Sequence, residues 1–442
     1  MLGGGDRRPG RAGNLASGGP RRHRARAAPG PPRRGPGGAE HGGAGAAPYL
    51  AAPPAGRPRR RPGPASWSTP RPALRLLFVA KGFPSFVRED LAHLRQFADV
   101  EVFHADAGRA GGAAARAGRV AAVLAQQAVW LRRRLPGADA VFGWFADFHL
   151  ALPVRAARRA GVPSLVAVAG FDAIALPALG YGVYESRWRA PLARAVLREA
   201  TRVLPCSATM VEHENRYSAW PETLRNGVRA HVPGFDTPVT VVPFGFDGDD
   251  WPSGPDARPD VVCTVGHLAE ERVQLRKGVD VLVAAARHLP DVTVQIVGVP
   301  ADAAAAARAR YDAPANVEWL PPRPRAALAE VYQGASVYAQ LSRAEGQPNV
   351  LGEAMCSGCV PVGSPVFGIP ETIGDTGFLV ESPEPEHVAG VLRRALDEAG
   401  PGRRRAARDR VLTRYSRAQR RERLRAVVED VVAAGVGRGG AR

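Results

Sequence analysis

The sequence has few cysteines, no long apolar run and little charge imbalance outside one terminal segment. Cys206, Cys263, Cys356 and Cys359 are the only cysteines in 442 residues, which argues against a disulfide framework and favours a reducing compartment. No run of 18 apolar residues is present, so we expect no transmembrane helix, and the Arg-rich start lacks the apolar stretch of a signal peptide. These features favour a cytoplasmic protein.

Most of the net charge lies in the first 72 residues. This segment holds 14 arginines against Asp6 and Glu40, so it carries +12 of the total of +18. It is composed of Gly, Pro, Ala and Arg without aliphatic periodicity, and we therefore predict a disordered basic arm at 1–72. The other 370 residues carry only +6, with no focused basic stripe of the kind that specific nucleic-acid binding needs.

From residue 74 onward, short apolar runs alternate with amphipathic segments. Strands are predicted at 74–80, 100–105, 140–146, 164–170, 202–207 and 239–245, then at 261–267, 293–298, 317–320, 336–342, 360–364 and 377–382. Helices are predicted between them at 86–97, 119–135, 148–160, 188–201, 279–288, 324–334 and 349–358. Such alternation indicates parallel sheets that are covered by helices on both faces.

The predicted fold is therefore α/β, with two doubly wound, Rossmann-like domains in series. We assign 73–245 to the first domain, 246–415 to the second and 416–442 to a C-terminal helix and tail. Ligands of such sheets lie at the carboxyl ends of the strands, and the cleft between two domains is the natural site.

Residues 342–359, SRAEGQPNVLGEAMCSGC, combine two acids with a turn and a helix start. Glu345 follows the predicted strand 336–342, and Glu353 lies on the predicted helix 349–358. The free backbone N–H groups of a helix start suit a phosphate-bearing ligand. On this stretch alone, a surface loop with two solvated acids is an equally good interpretation.

Several segments, in order, resemble the donor-binding half of retaining glycosyltransferases of family four, which have the GT-B fold. They are VGHLAEERVQLRKGVDVLVAAA (265–286), VQIVG (294–298), 323–364 and FGIPETIGDTGFLV (367–380). The Glu-x7-Glu signature of the family matches Glu345 and Glu353, and its Lys-Gly matches Lys277-Gly278. The stretch VVPFGFDGDDW (241–251) is similar to its interdomain hinge. The resemblance covers roughly 73–435 and is looser in the first half.

The resemblance implies a metal-independent enzyme that moves a sugar from a nucleotide-diphosphate sugar to an unidentified acceptor with retention of anomeric configuration. A UDP- or GDP-linked donor is expected, and no cofactor. Lys277 would neutralise the diphosphate as it leaves. Glu353 would accept hydrogen bonds from the ribose hydroxyls, and Glu345 would face the donor sugar and its oxocarbenium-like transition state. Further donor contacts are expected from Gly346, Gln347, Asn349 and Val350.

Three positions depart from the family pattern. Where the family has a phosphate-binding Arg after the first strand of the second domain, this chain has His267, and the candidates for that role are Arg272, Arg276 and His267 itself. Phe244 replaces the Asn of the hinge. Trp144 stands where many relatives have a His beside the acceptor.

The acceptor side is expected at the strand ends of the first domain. Gly82 would allow close approach of the donor diphosphate, and Ser85 begins a helix whose N-terminus favours anions. Asp147 and His149 are candidates for the acceptor pocket, although a capping Asp and a partly buried helix His are equally good interpretations. Asp172, interpreted as an exposed acid after a strand, is a candidate for binding an acceptor hydroxyl.

The other motifs in the sequence are weaker evidence of function. Cys356-Ser-Gly-Cys359 lacks a second ligand pair for zinc, and Asp247-Gly-Asp249 fits a polar hinge turn better than a metal motif. The basic amphipathic segments 130–135 and 187–198 are typical of helices that lie on an anionic membrane and equally of sheet-covering helices. Peripheral contact with the inner face of the membrane is therefore an open expectation.

Two other functions are compatible with parts of the sequence. A GT-B sugar-nucleotide epimerase or a phosphorylase shares the two-domain architecture, but the Glu345/Glu353 pair and the hinge favour glycosyl transfer. A non-enzymatic binding protein that uses its basic arm is the alternative of another class, and the weak charge of the rest of the chain disfavours it.

Overall fold

The computed structural model describes residues 74–108, 112–217 and 224–439. The arm predicted at 1–72 lies outside the described residues. Among those that are described, no helix is both long enough and apolar enough to cross a bilayer.

A five-stranded parallel sheet organises the first half of the chain. The elements are β1 Leu74–Ala80, α1 Ser85–Leu94, β2 Ala98–His104, α2 Ala113–Arg134, β3 Ala140–Trp144, α3 Phe148–Ala160, β4 Ser164–Val168, α4 Arg189–Glu199 and β5 Arg202–Pro205. The strand order is β2-β1-β3-β4-β5. Strands β3 and β4 are buried along their whole length, as continuous apolar runs require in a sheet that is covered on both faces.

A short antiparallel hairpin and one helical turn follow this sheet, and the sequence pattern did not predict them. They are β6 His213–Asn215, β7 Leu224–Asn226 and α5 Val228–His231.

The second half is built on a six-stranded parallel sheet. Its elements are β8 Val261–Val265, α6 Glu271–Arg276, α7 Val279–Ala286, β9 Thr293–Val297, α8 Ala301–Arg310, β10 Val317–Leu320, α9 Arg325–Gly334, β11 Val337–Gln340, α10 Asn349–Cys356, β12 Val360–Gly363, α11 Gly368–Ile373, β13 Phe378–Leu379, α12 Pro385–Asp397, α13 Pro401–Arg414 and α14 Arg417–Gly439. The strand order is β10-β9-β8-β11-β12-β13. The prediction of an α/β protein with two doubly wound sheets is confirmed.

The strand predicted at 239–245 is wrong as a regular strand. Val239 forms one isolated bridge to Val203, and the N–H of Val242 donates to the carbonyl of Pro205 at 2.9 Å. Pro238 and Pro243 have no N–H to give to a ladder, which keeps this segment irregular along the edge of the first sheet.

The C-terminal helix α14 returns from the second half to pack on α1 in the first. Its Arg420 donates from Nε and Nη2 to both carboxylate oxygens of the fully buried Asp90, at 2.6 and 2.7 Å, and from Nη1 to the carbonyls of Val242 and Pro243. A buried pair of this kind is costly to break because the remaining charge would lose its partner. One buried apolar cluster runs through both sheets.

Candidate active site

Both sheets have a switch point, a pair of neighbouring strands from which the strand order runs outward in opposite directions. In the second sheet this point lies between β8 and β11. Residues that follow these two strands should meet in the crevice at their carboxyl ends, where ligands of doubly wound sheets bind. Lys277 follows β8 and α6, and Glu345 follows β11.

Glu345 is enclosed by two cations at this switch point. Its Oε1 is in contact with Lys277 Nζ and lies 3.2 Å from Arg276 Nη1. Arg276 also donates to the carbonyl of Ala344 at 3.1 Å and lies 4.8 Å from the ring centre of Tyr181 in the first half. The three charged side chains expose only 12–15% of their surface and sum to a single positive charge.

The ionisation of the cluster follows from burial and from these neighbours. Burial is the largest influence on the pKa of Glu345 and raises it, but Lys277 and Arg276 outweigh burial and hold the pKa below its ordinary value. Burial lowers the pKa of Lys277, which Glu345 partly restores and Arg276 lowers further. The site is therefore an ionised carboxylate between two cations, with positive charge left for an anionic ligand.

A series of hydrogen bonds between buried polar side chains leads along β11 to Glu345 and orients its carboxylate. Tyr338 donates its O–H to Gln340 Oε1 at 3.0 Å, Gln340 Nε2 donates to Ser342 Oγ at 2.6 Å, and Ser342 Oγ donates to Glu345 Oε1 at 3.3 Å. The prediction from sequence missed Tyr338, Gln340 and Ser342. Tyr338 and Gln340 alternate along β11, and Ser342 continues the alternation just past its end, which is the signal that places the three on one face.

The turn after Glu345 lies against the first half of the molecule. A Cβ on Gly346 would come within 2.2 Å of the Ala169 carbonyl oxygen and 2.9 Å of Cys206 Sγ. Gln347 Oε1 accepts from the N–H of Phe244 at 2.6 Å, while its buried Nε2 has no hydrogen-bond partner among the described residues. Gly346 and Gln347, expected as donor contacts, therefore also join the two sheets.

Glu353 lies one turn into α10, away from the cations around Glu345. Its Oε2 accepts from the Tyr332 hydroxyl at 3.3 Å. Burial is the main influence on the pKa of Glu353 and raises it to about 7, against a lowering contribution from Arg325. The two acids of the signature thus have opposite pKa shifts, with Glu345 ionised and Glu353 near its midpoint at neutral pH.

The other expected donor contacts fall into two groups. Asn349 and Val350 are the first two residues of α10 and lie at its N-terminus. A Cβ on Gly82 would meet no atom within 4 Å, so the space beside Gly82 is open. His267 is exposed, and Arg272 is an exposed partner of Glu270 at 2.6 Å. Of the candidates for the missing arginine, only Arg276 contacts Glu345.

The acceptor-side candidates Asp147, His149 and Ser85 differ in their burial and in their hydrogen-bond partners. Asp147 caps α3 by accepting from the Phe148 N–H and also binds Arg189. His149 is fully buried, which lowers its pKa to about 4, and its Nε2 is 3.0 Å from the Trp144 carbonyl. Ser85 is the half-buried first residue of α1.

The interpretation of Asp172 as an exposed acid is wrong. Its side chain is fully buried and accepts from the N–H groups of Ala146, Ala169 and Gly170 at 2.9, 3.2 and 3.3 Å. Burial raises its pKa to about 6. Asp172 therefore holds together the turns after β3 and β4. A Gly and an acid in the turn after a strand do not by themselves show whether the acid is exposed or buried.

Two departures from the family pattern contact each other. The rings of Trp144 and Phe244 are nearly parallel, at 12° and with centres 6.1 Å apart, and Phe86 lies 5.1 Å from both. The Trp144 indole N–H donates to Asp90 Oδ2 at 3.1 Å. An aromatic cluster thus takes the place of the polar residues that the family pattern has at these positions.

The cysteines do not form a ligand set. All four are buried and unpaired, and no group of three or more His, Cys, Asp or Glu in the described part of the chain has the spacing of a metal site. The Sγ–H of Cys359 instead donates to the Tyr332 carbonyl at 3.0 Å.

Comparisons with known proteins agree with this architecture. Residues 259–398 match the family model described as Glycosyl transferases group 1. The chain is 35% identical over 162 residues to D-inositol 3-phosphate glycosyltransferase from Mycobacteroides abscessus, which covers 33% of this chain and 34% of that protein. The same enzyme from Mycobacterium sp. strain KMS is 34% identical over 169 residues, with 36% and 37% covered. The chain thus matches about a third of the length of these curated relatives.

Solved structures resemble nearly the whole described chain. Sucrose-phosphate synthase from Thermosynechococcus elongatus has a TM-score of 0.62 at 16% identity and covers 82% of this chain and 100% of that one. Anabaena Alr3699/HepE in complex with UDP and glucose has a TM-score of 0.58 at 16% identity and covers 81% of this chain and 100% of that one. At such low identity the likeness concerns the fold, which is GT-B.

Proposed function

We propose that the protein is a retaining glycosyltransferase of family four that moves a sugar from a UDP- or GDP-linked donor to an acceptor. The observation that carries this proposal is the buried Glu345 between Lys277 and Arg276 at the switch point of the second sheet. The match of 259–398 to the glycosyltransferase family model supports it, and so does the presence of UDP in a structure of the same fold.

Lys277 and Arg276 supply the charge that departure of a nucleoside diphosphate requires. Glu345 holds both side chains in place, and both are largely buried. A positive charge stabilises developing negative charge more effectively in such surroundings than in water. Arg276 takes the role for which the sequence offered three candidates. Because these two cations neutralise the diphosphate, we propose that transfer needs no metal and that a chelator leaves the rate unchanged.

Glu345 and Glu353 have different roles in this mechanism. Glu345 stays ionised beside the donor sugar, where its charge stabilises an oxocarbenium-like transition state. Glu353, on α10, accepts the paired hydroxyls of the ribose. The opposite pKa shifts of the two acids support this division.

A thermal-shift screen of nucleotide sugars tests the donor assignment. A ligand that binds only the native state raises the melting temperature, and we expect UDP- or GDP-sugars to do so while free sugars do not. Lys277→Ala should weaken binding of the donor and of the free nucleoside diphosphate together, by about 2–5 kcal/mol. Retained binding in this variant would contradict the assignment.

NMR of the reaction product tests retention, because it reports the anomeric configuration of the transferred sugar.

Epimerase and phosphorylase activities are separable from transfer in the same assay. An epimerase would convert the nucleotide sugar without an acceptor, and a phosphorylase would consume inorganic phosphate. The matched segment 259–398 supports transfer over both.

We also propose a cytoplasmic location with peripheral contact to the inner membrane face through α2. This helix carries the half-exposed Val129 beside Arg132 and Arg133, and an apolar groove of about 550 Å³ separates α2 from α3. Basic side chains around apolar surface complement an anionic bilayer. Co-sedimentation with anionic but not neutral vesicles is expected, and Arg132→Glu with Arg133→Glu should abolish it. Equal sedimentation of this variant would contradict the contact.

A further inference from the structure

The hairpin β6–β7 follows the first sheet along the chain, yet its strand β6 contacts two turns of the second half. One is the turn after β11, which contains Arg343, and the other leads into α11 and contains Phe367. The contacts come from His213 and Asn215, the first and last residues of β6. The hairpin therefore connects the first half to the surroundings of the candidate site.

Asn215 holds the turn after β11 through the backbone of Arg343. Its side chain is fully buried, and its Nδ2 donates to the Arg343 carbonyl at 2.7 Å. Its Oδ1 accepts from the N–H of Tyr217 in the same hairpin at 3.2 Å, which fixes the orientation of the amide. Because a buried polar atom that loses its partner is costly, an amide held at both ends fixes the position of the turn.

Arg343 links this turn to the donor cations. Its N–H donates to the carbonyl of Arg276 at 2.8 Å, and its Nη1 and Nη2 donate to the two carboxylate oxygens of Asp280 at 2.8 and 2.7 Å. Arg276 directly precedes Lys277, and Asp280 lies in the first turn of α7. Because Arg343 comes two residues before Glu345, its position determines where the carboxylate meets the two cations.

His213 holds the second turn at a residue with a strained backbone. Phe367 has φ +49° and ψ −128°, a conformation that residues with a side chain rarely adopt. Its N–H donates to His213 Nε2 at 3.2 Å, and the two ring centres are 4.2 Å apart. Burial lowers the pKa of His213 to about 4, so the imidazole is neutral at pH 7 and can accept this hydrogen bond.

The turn at Phe367 is bonded in its turn to the chain just after Glu345. The N–H of Gly368 donates to the Gly346 carbonyl at 2.9 Å, and a Cβ on Gly368 would come within 2.2 Å of that oxygen. A strained residue keeps its conformation only where its surroundings fix it, and His213 supplies both a hydrogen-bond acceptor and a packed ring. The hairpin thus restrains the chain on both sides of Glu345.

We propose that the hairpin β6–β7 is a clamp that positions the donor site. Asn215 holds the chain just before Glu345, and His213 holds the turn that supports the chain just after it. Both are positioning residues, because they act through other residues and not on the substrate. The inference rests on the proposed glycosyl transfer, since it takes the surroundings of Glu345 as the donor site. Because the hairpin follows the first sheet, the donor site of the second half is complete only while the two halves are in contact.

Hydrogen exchange of the full chain, measured by mass spectrometry, tests the clamp without a ligand. Asn215→Ala removes the bond to the turn after β11, and His213→Leu removes the acceptor but keeps an apolar side chain. Exchange should become about tenfold faster or more in peptides 341–347 and 366–372 respectively, because local opening governs exchange. His213→Gln places an amide oxygen near the position of Nε2 and should restore the wild-type rates.

Asn316→Ala is the matched control for Asn215→Ala. Asn316 lies next to the amino end of β10, at the edge of the second sheet opposite the site. Its Nδ2 also donates to backbone carbonyls, which are those of Ala286, Leu289 and Val292. This variant should be less stable than wild type but should leave exchange in the two peptides unchanged.

Calorimetry with UDP and with GDP connects the clamp to the donor site. Loss of preorganisation costs affinity, so the nucleotide that binds wild type should bind about three- to tenfold more weakly to Asn215→Ala and to His213→Leu. Asn316→Ala and His213→Gln should bind it as wild type does.

Three results would overturn the proposal. They are unchanged exchange in both Asn215→Ala and His213→Leu, faster exchange that spreads equally to α12 and the first sheet, and faster exchange at the two turns with unchanged nucleotide affinity. Failure of the proposed function is recognised separately, as absence of UDP and GDP binding in wild type, and the exchange rates would still show whether the hairpin holds the two turns.

Discussion

Glu345 and Glu353 lie eight positions apart, yet their surroundings give them opposite properties. Glu345 is ionised because Lys277 and Arg276 outweigh the effect of burial, whereas Glu353 is buried beside a tyrosine hydroxyl and a more distant arginine, and its pKa rises to about 7. A charge that is already stabilised by cations can act on a transition state. A carboxyl group close to its midpoint responds instead to pH and to its ligand.

Glu345→Gln should lower kcat strongly while it preserves nucleotide binding. The amide keeps the shape of the side chain but removes the negative charge that would meet the developing oxocarbenium, so the loss should appear mainly in the transition state. We expect a decrease in kcat of about a hundredfold or more, as for other electrostatic groups of active sites. Steady-state kinetics and calorimetry with UDP measure the two effects. Glu353→Ala should chiefly weaken UDP and donor binding, and identical behaviour of the two variants would contradict the division of roles.

Glu353 should also make the stability of the protein depend on pH. Its pKa is about 7 in the folded protein against an ordinary value of 4.5, so the folded state holds the proton more tightly than the unfolded state. The stability it contributes is therefore fully present below about pH 4.5 and is lost as the pH rises through about 7, with a total of roughly 3 kcal/mol. Glu353→Gln should abolish this loss and be more stable than wild type above pH 7, as measured by urea unfolding across the range.

Glu345→Gln is the control with the opposite sign. Since the pKa of Glu345 is lowered in the folded protein, its ionised form stabilises the fold at neutral pH, and the substitution should destabilise the protein there. Stabilisation by both substitutions at neutral pH would show that burial alone governs the two acids.

At the scale of elements, the end of β3 and the segment between the two sheets are matched to each other. Trp144 ends β3, and Phe244 lies in the irregular segment along the edge of the same sheet. Each residue departs from the family pattern, and their rings stack at 6.1 Å. The two departures are therefore one feature of packing, since a small polar residue at either position would remove one of the rings that pack against the other.

A double-mutant cycle should detect this coupling. Phe244→Asn and Trp144→His should each destabilise the protein by about 2–5 kcal/mol, because each removes a large buried ring. The double variant should be less destabilised than the sum of the two, by about 0.5–1.5 kcal/mol, the usual contribution of an aromatic pair. Urea unfolding measures the three free energies. Strict additivity would mean that the rings pack independently.

At the scale of the whole molecule, the contact between the two halves depends on positions without a side chain or with a buried polar one. Gly346 brings the turn after β11 against the Ala169 carbonyl and Cys206. Gln347 binds the backbone at Phe244, and Arg420 of α14 binds Asp90 of α1. The site therefore lies where the two halves are held together, and movement between them would change its geometry.

Gly346→Ala should separate the two halves locally. The new Cβ would lie 2.2 Å from a backbone oxygen that cannot turn away, so we expect a loss of about 1–3 kcal/mol in the free energy of unfolding and a lower kcat/KM. Gly390→Ala is the matched control, because that exposed glycine lies within α12 and its Cβ would meet no atom within 4 Å. It should be neutral or stabilise by up to about 1 kcal/mol. A fully active and equally stable Gly346→Ala would show that the contact is dispensable.

The sequence by itself was sufficient for the strands of the two parallel sheets, for their order along the chain and for most of the helices between them. Continuous apolar runs that alternate with amphipathic segments identify parallel strands and their covering helices, because each pattern is local and repeats within a few residues. The position of Glu345 after β11 and of Glu353 on α10 follows from the same periodicity. The hairpin β6–β7 was missed because three-residue strands carry no measurable period.

Only the tertiary structure decided which side chains meet. It distinguishes Arg276, against Glu345, from Arg272, which points to Glu270, and it buries Asp172 beneath two turns where the sequence suggested exposure. The contact of Trp144 with Phe244 and that of Lys81 with Asp147 join residues that are far apart in the chain. Periodicity assigns a residue to a face of its own element, but the partner across that face is set by how the strands are ordered in the sheet and how the two sheets pack.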